Sequence, residues 1–195
     1  MNKAQLRKSI RVAIAAMTDD ERRRAADQAA ERLLDSGVVR GKVAVYMALP
    51  SEMQTRGLID ACLQKGLQVC LPVVCGDDLM WVDYTENTTF EAGAWGIEEP
   101  IGPLLTTKQA AFDVCVTPLT AMDRRGNRVG KGKGFYDRAL AQSECIRVGY
   151  GYDCQLVEQI DDVSELDLPM HWIATPSVCK EIRCVSSVEN TRAEN

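Results

Sequence analysis

The segment Gly126-Asn127-Arg128-Val129-Gly130-Lys131-Gly132-Lys133-Gly134-Phe135-Tyr136-Asp137-Arg138 concentrates residue types that bind anions. Gly130, Gly132 and Gly134 alternate with Lys131 and Lys133, and Arg128 precedes them. Alternating glycine lets a backbone take positive φ and bring its N–H groups close to a ligand. Successive N–H groups of that kind form a concave anion site. Residues from Phe135 to Gln142 read as a helix, with Leu140 on its inner face. Its N-terminus would face whatever anion the loop holds. Asp137 falls in the first helical turn, where a carboxylate is electrostatically favoured and can also hold magnesium. The implied chemistry is binding of a polyphosphate–metal complex.

Two familiar phosphate loops do not fit. A P-loop needs Gly-Lys followed by Ser or Thr, whereas Lys131 and Lys133 are each followed by glycine. The dinucleotide fingerprint fails because Phe135 stands where its third glycine would be. The plainer reading of the segment is a solvated basic turn. Elsewhere, Glu52 follows a strand candidate, at the end where ligands collect in parallel sheets. Ser51 or Thr55 could cap the next helix. Tyr152 and Asp153 follow another strand and are further candidates for that rim. Lys3 and Arg7, spaced i, i+4, make a basic helix face that spacing alone leaves solvated. Met47 reads as core, Trp95 as a loop plug, Asp167 before Leu168-Pro169 as a turn residue, and His171 as structural.

The chain of 195 residues is long enough for one full core without staples. A single domain is expected over 1–185, followed by a polar tail over 186–195. The formal net charge of -5 argues against a general nucleic-acid or membrane-surface binder, so the lysine-rich loop is a local positive feature. Eight cysteines are scattered with no Cys-x-x-Cys, and there is one histidine, which disfavours zinc. Most sit in apolar runs and act as small core side chains rather than a disulfide framework. No long apolar run begins the chain and none reaches the length of a membrane span, so a cytoplasmic protein is expected.

The elements that must position these residues follow from periodicity. Residues 2–16 read as an amphipathic helix with Leu6, Ile10, Ala13 and Ile14 on one side. Thr18 and Glu21 form a capping box for a second helix that ends before Gly37. Lys42–Leu49, residues 55–65 and Leu67–Val74 read as strand, helix and strand, a β-α-β unit. Leu79–Tyr84 suits an antiparallel strand, and residues 85–108 read as irregular, with Trp95 and Ile97 turned inward. Ala111–Leu119, Ile146–Tyr150 and residues 171–175 complete a mostly parallel sheet. The expected fold is α/β, one three-layer domain with a mostly parallel central sheet flanked by helices and two N-terminal helices. The loops after Leu49, Leu119 and Tyr150 would share one rim.

Thr117-Pro118-Leu119-Thr120-Ala121-Met122-Asp123, followed by Gly126 to Arg138, resembles the signature of the 5-formyltetrahydrofolate cyclo-ligases. The likeness extends to Val148-Gly149-Tyr150, to Asp153 through Val157, and to Asp167 through Ser177. The resemblance implies conversion of 5-formyltetrahydrofolate to 5,10-methenyltetrahydrofolate with ATP and Mg2+, releasing ADP and phosphate. It implies ATP contacts from Lys3, Arg7, Arg128, Val129, Gly130, Lys131, Gly132, Lys133, Gly134, Phe135 and Tyr136. Arg128, Lys131 and Lys133 would offset charge on the transferring phosphoryl group. Met47, Glu52, Trp95 and Tyr136 would contact the folate, and Asp137 with Asp167 would hold the metal. Residue 135 is Phe where many members have Tyr, and the positions of Lys131 and Lys133 are loosely specified in the family. Small-molecule substrates and a monomer are the expected partners and state. Another ATP-dependent phosphotransferase, or a non-catalytic folate- or nucleotide-binding protein, remains open from the residues alone.

Overall fold

The computed structural model describes residues 2–93, 96 and 98–182. Trp95, Ile97 and the tail over 186–195 lie outside the described residues. Helix α1 (Lys3–Ala15) is started by a capping box between Asn2 and Gln5 and buries Leu6, Ile10 and Ile14, one residue per turn. Helix α2 (Asp19–Asp35) is capped by Thr18 and Glu21, and its acidic first turn complements the helix dipole. Its buried stripe of Ala26, Ala29, Ala30 and Leu33 lets it lie close to its neighbours. Gly37, at φ +73°, ends the run in a conformation that side chains with Cβ disfavour.

Seven strands form the central sheet: β1 (Lys42–Val45), β2 (Gln68–Cys75), β3 (Asp78–Tyr84), β6 (Val114–Thr117), β9 (Ile146–Tyr150), β11 (Trp172–Ala174) and β12 (Cys179–Glu181). Their spatial order is β12-β11-β9-β6-β1-β2-β3. The five inner strands pair in parallel, and antiparallel strands close both edges. Helix α3 (Arg56–Gln64) crosses from β1 to β2. Two short antiparallel strands, β4 (Phe90–Ala92) and β5 (Glu98–Pro100), and helix α4 (Thr107–Ala110) lie between β3 and β6. A small second sheet joins β7 (Ala121–Asp123), β8 (Arg128–Val129) and β10 (Leu156–Val157), and helix α5 spans Phe135–Leu140.

Side-chain alternation divides the core into two layers. Val43, Val45, Val69, Leu71, Val114 and Val116 face α1, α2 and α3. Ala44, Cys70 and Cys115, the residues between them, face Phe112, Ala110 of α4 and Leu140 of α5. Helices on both faces of a mostly parallel sheet give the three-layer α/β architecture expected from the sequence. Seven cysteines among the described residues are free thiols, and Cys62, Cys70, Cys115 and Cys145 are buried in the core. Among the described residues no helix is long and apolar enough to cross a membrane.

The sequence reading needs four corrections. Residues 85–108 are not wholly irregular: a two-stranded ribbon and the start of a capped helix occupy them. Strand β1 stops at Val45, so Tyr46 to Leu49 is free to line a loop. The buried strand expected over Ala111–Leu119 is only Val114–Thr117, because Ala111 takes a left-handed φ of 46° at the end of α4. Helix α3 has no side-chain cap, because the Thr55 hydroxyl donates instead to Tyr46 O at 2.6 Å.

Candidate functional site

Beyond the carboxyl ends of β1 and β6 lies a cavity of about 950 Å³. Its first wall is the loop after β1. Glu52 N donates to Leu49 O and Leu49 N donates to Glu52 Oε2, each at 2.9 Å, so the carboxylate helps fold its own loop. Tyr152 Oη donates to Glu52 O at 3.3 Å and Tyr46 Oη to Met53 O at 2.8 Å, bracing the turn from behind. The result is a carboxylate on a residue only 6 % exposed, at the cavity edge. Tyr152 is therefore a buttress behind the rim, not part of the lining, and Asp153 accepts from Ser177 N at 3.1 Å.

The second wall is the glycine-rich segment. Buried Asp123 accepts from the N–H groups of Arg125, Asn127 and Ile160, which fixes the turn feeding β8. Arg128 then enters the cavity wall at 7 % exposure. Its Nη1 donates to Pro118 O at 3.1 Å and its Nη2 to Asp137 Oδ1 at 2.7 Å, while Nε is buried without a partner among the described residues. Gly132 and Gly134 take φ of +98° and +68°, the positive values that the alternating glycines suggested. Arg138 ties the loop down, with Nη1 donating to Lys133 O at 2.7 Å and Nη2 to Asp77 O at 2.6 Å.

Helix α1 supplies the third wall. Arg7 Nε donates to Gly130 O at 2.9 Å, and Lys3 Nζ lies 2.6 Å from Asp167 Oδ2. Asp167 also closes its own turn by accepting from Ser164 N at 2.7 Å. Burial pushes the Asp167 carboxyl up, but the Lys3 ammonium and the Ser164 N–H outweigh it and hold the group below its usual range. Burial, reinforced by Cys115 and Glu52, keeps the Tyr136 phenol neutral, well above its ordinary range. Across the cavity, Lys131 Nζ meets Glu52 Oε1 at 2.9 Å.

The expected ATP, folate and metal residues line this one cavity, apart from Trp95, which lies outside the described residues, whereas the rim candidates Tyr152 and Asp153 do not. Lys3, Arg7, Met47, Glu52, the segment Arg128 to Asp137, and Asp167 come together from four separate parts of the chain. Sequence reasoning missed Tyr46, Leu49, Pro72, Val74, Leu79 and Leu168, whose apolar side chains also line it. Tyr46 and Leu49 are marked only by following β1, while Pro72, Val74 and Leu79 lie within β2 and β3 and carry no such mark. His171 stands apart, its Nδ1 accepting from Arg147 N at 3.1 Å and its Nε2 lying 2.9 Å from Arg147 Nη2.

Magnesium, which the resemblance implies, has a suitable donor set here. Leu168 N donates to Asp137 Oδ1 at 3.3 Å, which brings the Asp167 segment against Asp137. Two hard carboxylates in one cavity match what magnesium takes from a protein when phosphate oxygens and water complete its shell. Hydrogen bonds found to Asp137 fall on Oδ1 and those to Asp167 on Oδ2, so each retains a second oxygen. Among the described residues no cluster of three or more His, Cys, Asp or Glu is arranged for a metal.

Comparison with known proteins identifies relatives of the chain. The chain is 34% identical over 173 residues to a 5-formyltetrahydrofolate cyclo-ligase of Escherichia coli K12, covering 83% of this chain and 93% of that protein. It is 30% identical to that of Haemophilus influenzae, covering 86% and 92%. The solved 5,10-methenyltetrahydrofolate synthetase of Aquifex aeolicus superposes with a TM-score of 0.83 at 28% identity over 100% of both chains. The profile of the 5-formyltetrahydrofolate cyclo-ligase family matches residues 1–176, and the chain belongs to that family.

Proposed function

We propose that this protein converts 5-formyltetrahydrofolate to 5,10-methenyltetrahydrofolate, consuming ATP and releasing ADP and phosphate. The observation that carries the reading is the meeting of a cationic glycine loop and a buried carboxylate in one cavity, joined by the 2.9 Å contact of Lys131 with Glu52. A loop of that kind suits a polyphosphate, and a buried carboxylate suits the N–H groups of a pterin.

The chemistry asks for activation of a poor electrophile. The formamide oxygen attacks the γ-phosphorus of ATP, and ADP departs. The neighbouring amine nitrogen, which lies outside the pterin ring, then attacks the activated carbon and gives up its proton, the new ring closes, and phosphate leaves with the former formyl oxygen. Phosphoryl transfer depends mainly on positioning and charge neutralisation, which suits a site whose only described histidine stands apart from it.

The backbone N–H groups from Gly130 to Gly134 bind the phosphates, with Lys131 and Lys133 adding charge. Lys3 and Arg7 reach the same phosphates from α1. Arg128, fixed by Pro118 and Asp137, holds its guanidinium charge in the cavity wall, where it offsets charge that develops during transfer. Glu52 orients the pterin, and Met47 with Tyr136 packs against it. Asp137 and Asp167 would hold magnesium, which would neutralise part of the phosphate charge.

Incubation with ATP, magnesium and 5-formyltetrahydrofolate tests the reading. Methenyl-folate absorbance should rise with one ADP released per molecule formed. Well-folded protein that yields no methenyl product would overturn it.

A further inference from the structure

Glu52 is engaged on both carboxylate oxygens: Leu49 N–H holds Oε2, and the ammonium of Lys131 holds Oε1. The side chain of Glu52 is 8 % exposed and that of Lys131 45 % exposed, so the lysine is the solvent-facing partner. An ammonium on a buried carboxylate competes with any neutral N–H donor that a ligand brings, because its full charge adds Coulomb attraction in a poorly solvated setting. The same lysine belongs to the loop between Gly130 and Gly132, where a polyphosphate would offer it a denser negative charge. One cation thus stands between two anionic demands that cannot both be met at once.

We propose that Lys131 is an interlock between the two substrates: it covers Glu52 until nucleotide draws it into the phosphate loop, and so couples folate binding to nucleotide binding. This inference rests on the cyclo-ligase reading and adds to it a positioning role and a direction of coupling. Coupling between sites is reciprocal, so folate must tighten nucleotide binding by the same factor. Lys133, in the same loop but without an ion pair among the described residues, is the internal control.

Titration calorimetry on the full chain tests the interlock, using 5-formyltetrahydrofolate and the magnesium complex of a non-hydrolysable β,γ-imido ATP analogue. In the wild type each ligand should tighten the other by about 5- to 150-fold, the usual range of such coupling. In Lys131→Met that factor should fall to near one, with folate alone binding at least as tightly as to the wild type. Lys133→Met should weaken nucleotide while keeping the factor. Both ligands binding without mutual effect in the wild type, or full coupling in Lys131→Met, would overturn the interlock alone. Absence of heat from either ligand would overturn the interlock and the cyclo-ligase reading together.

Discussion

Arg128 is held by Asp137 and Pro118 through its two terminal nitrogens, and its Nε is left buried and unpaired among the described residues. A buried donor without a partner costs about 1–3 kcal/mol. The guanidinium also lies 6.0 Å from the centre of the Tyr136 ring, which limits how it can swing. It is therefore a preorganised cation, fixed before any ligand arrives.

Replacing Arg128 by Ala should lower turnover by about 10²–10³, the usual loss when one preorganised donor is removed from a transition state. Arg128→Lys should recover little of it, since a single ammonium cannot span Pro118 O and Asp137 while keeping a third donor. Steady-state turnover, with circular dichroism to confirm folding, checks both variants. Wild-type turnover in either would take Arg128 out of the mechanism.

Glu52→Gln should weaken 5-formyltetrahydrofolate by about 10- to 100-fold, the worth of about 1.5–3 kcal/mol for hydrogen bonds to a charged group. Affinity for nucleotide alone should be kept or slightly improved, because Lys131 is released from its partner. Separate titrations with each ligand decide it. Equal loss for both ligands would mean that the loop, rather than the carboxylate, had been damaged.

Gly132 sits at φ +98°, outside the space ordinary side chains tolerate, with Arg7 Nη2 3.6 Å from where a Cβ would stand. Strain of this kind costs about 1–3 kcal/mol. Gly132→Ala should weaken nucleotide roughly 10-fold and leave thermal stability within a few degrees, since the residue is exposed. Nucleotide titration and a melting curve, read together, separate a local effect from unfolding.

The Lys3–Asp167 pair predicts a small acid sensitivity. Its partners hold the Asp167 carboxyl below the ordinary value of about 3.9. A depressed folded-state pKa contributes stability above the unfolded value and loses it as pH falls through the folded one. The two side chains are 20% and 22% exposed, so the contribution should stay below about 1 kcal/mol. Lys3→Ala should raise the Asp167 titration midpoint toward the ordinary value and move acid unfolding to slightly higher pH. Carboxyl NMR titration with an acid melt checks the sign. An unmoved Asp167 midpoint would show that Ser164 alone sets it.

Much of this was legible before the structure. The buried strands are short apolar runs, and Val43, Ala44 and Val45 already carry the alternation that splits the core into two faces. The capping box at Thr18 and Glu21 marked the start of α2. What stayed hidden depended on tertiary partners. Nothing around Tyr152 shows that its hydroxyl would brace Glu52 from one hundred residues away. Asp167 reads as a turn residue, which it is, and only the fold brings Lys3 to it. The β4–β5 ribbon escaped because strands of three residues carry too little periodicity to register. Pro72, Val74 and Leu79 look like ordinary strand residues, and the cavity they line exists only once β2 and β3 pair.

The central claim is that this cavity moves the γ-phosphoryl group of ATP onto the formyl oxygen of a reduced folate. Turnover of substrate carrying heavy oxygen in the formyl group tests it most directly, with mass analysis of the inorganic phosphate. The account predicts one labelled oxygen in each phosphate released; unlabelled phosphate alongside methenyl product would contradict it.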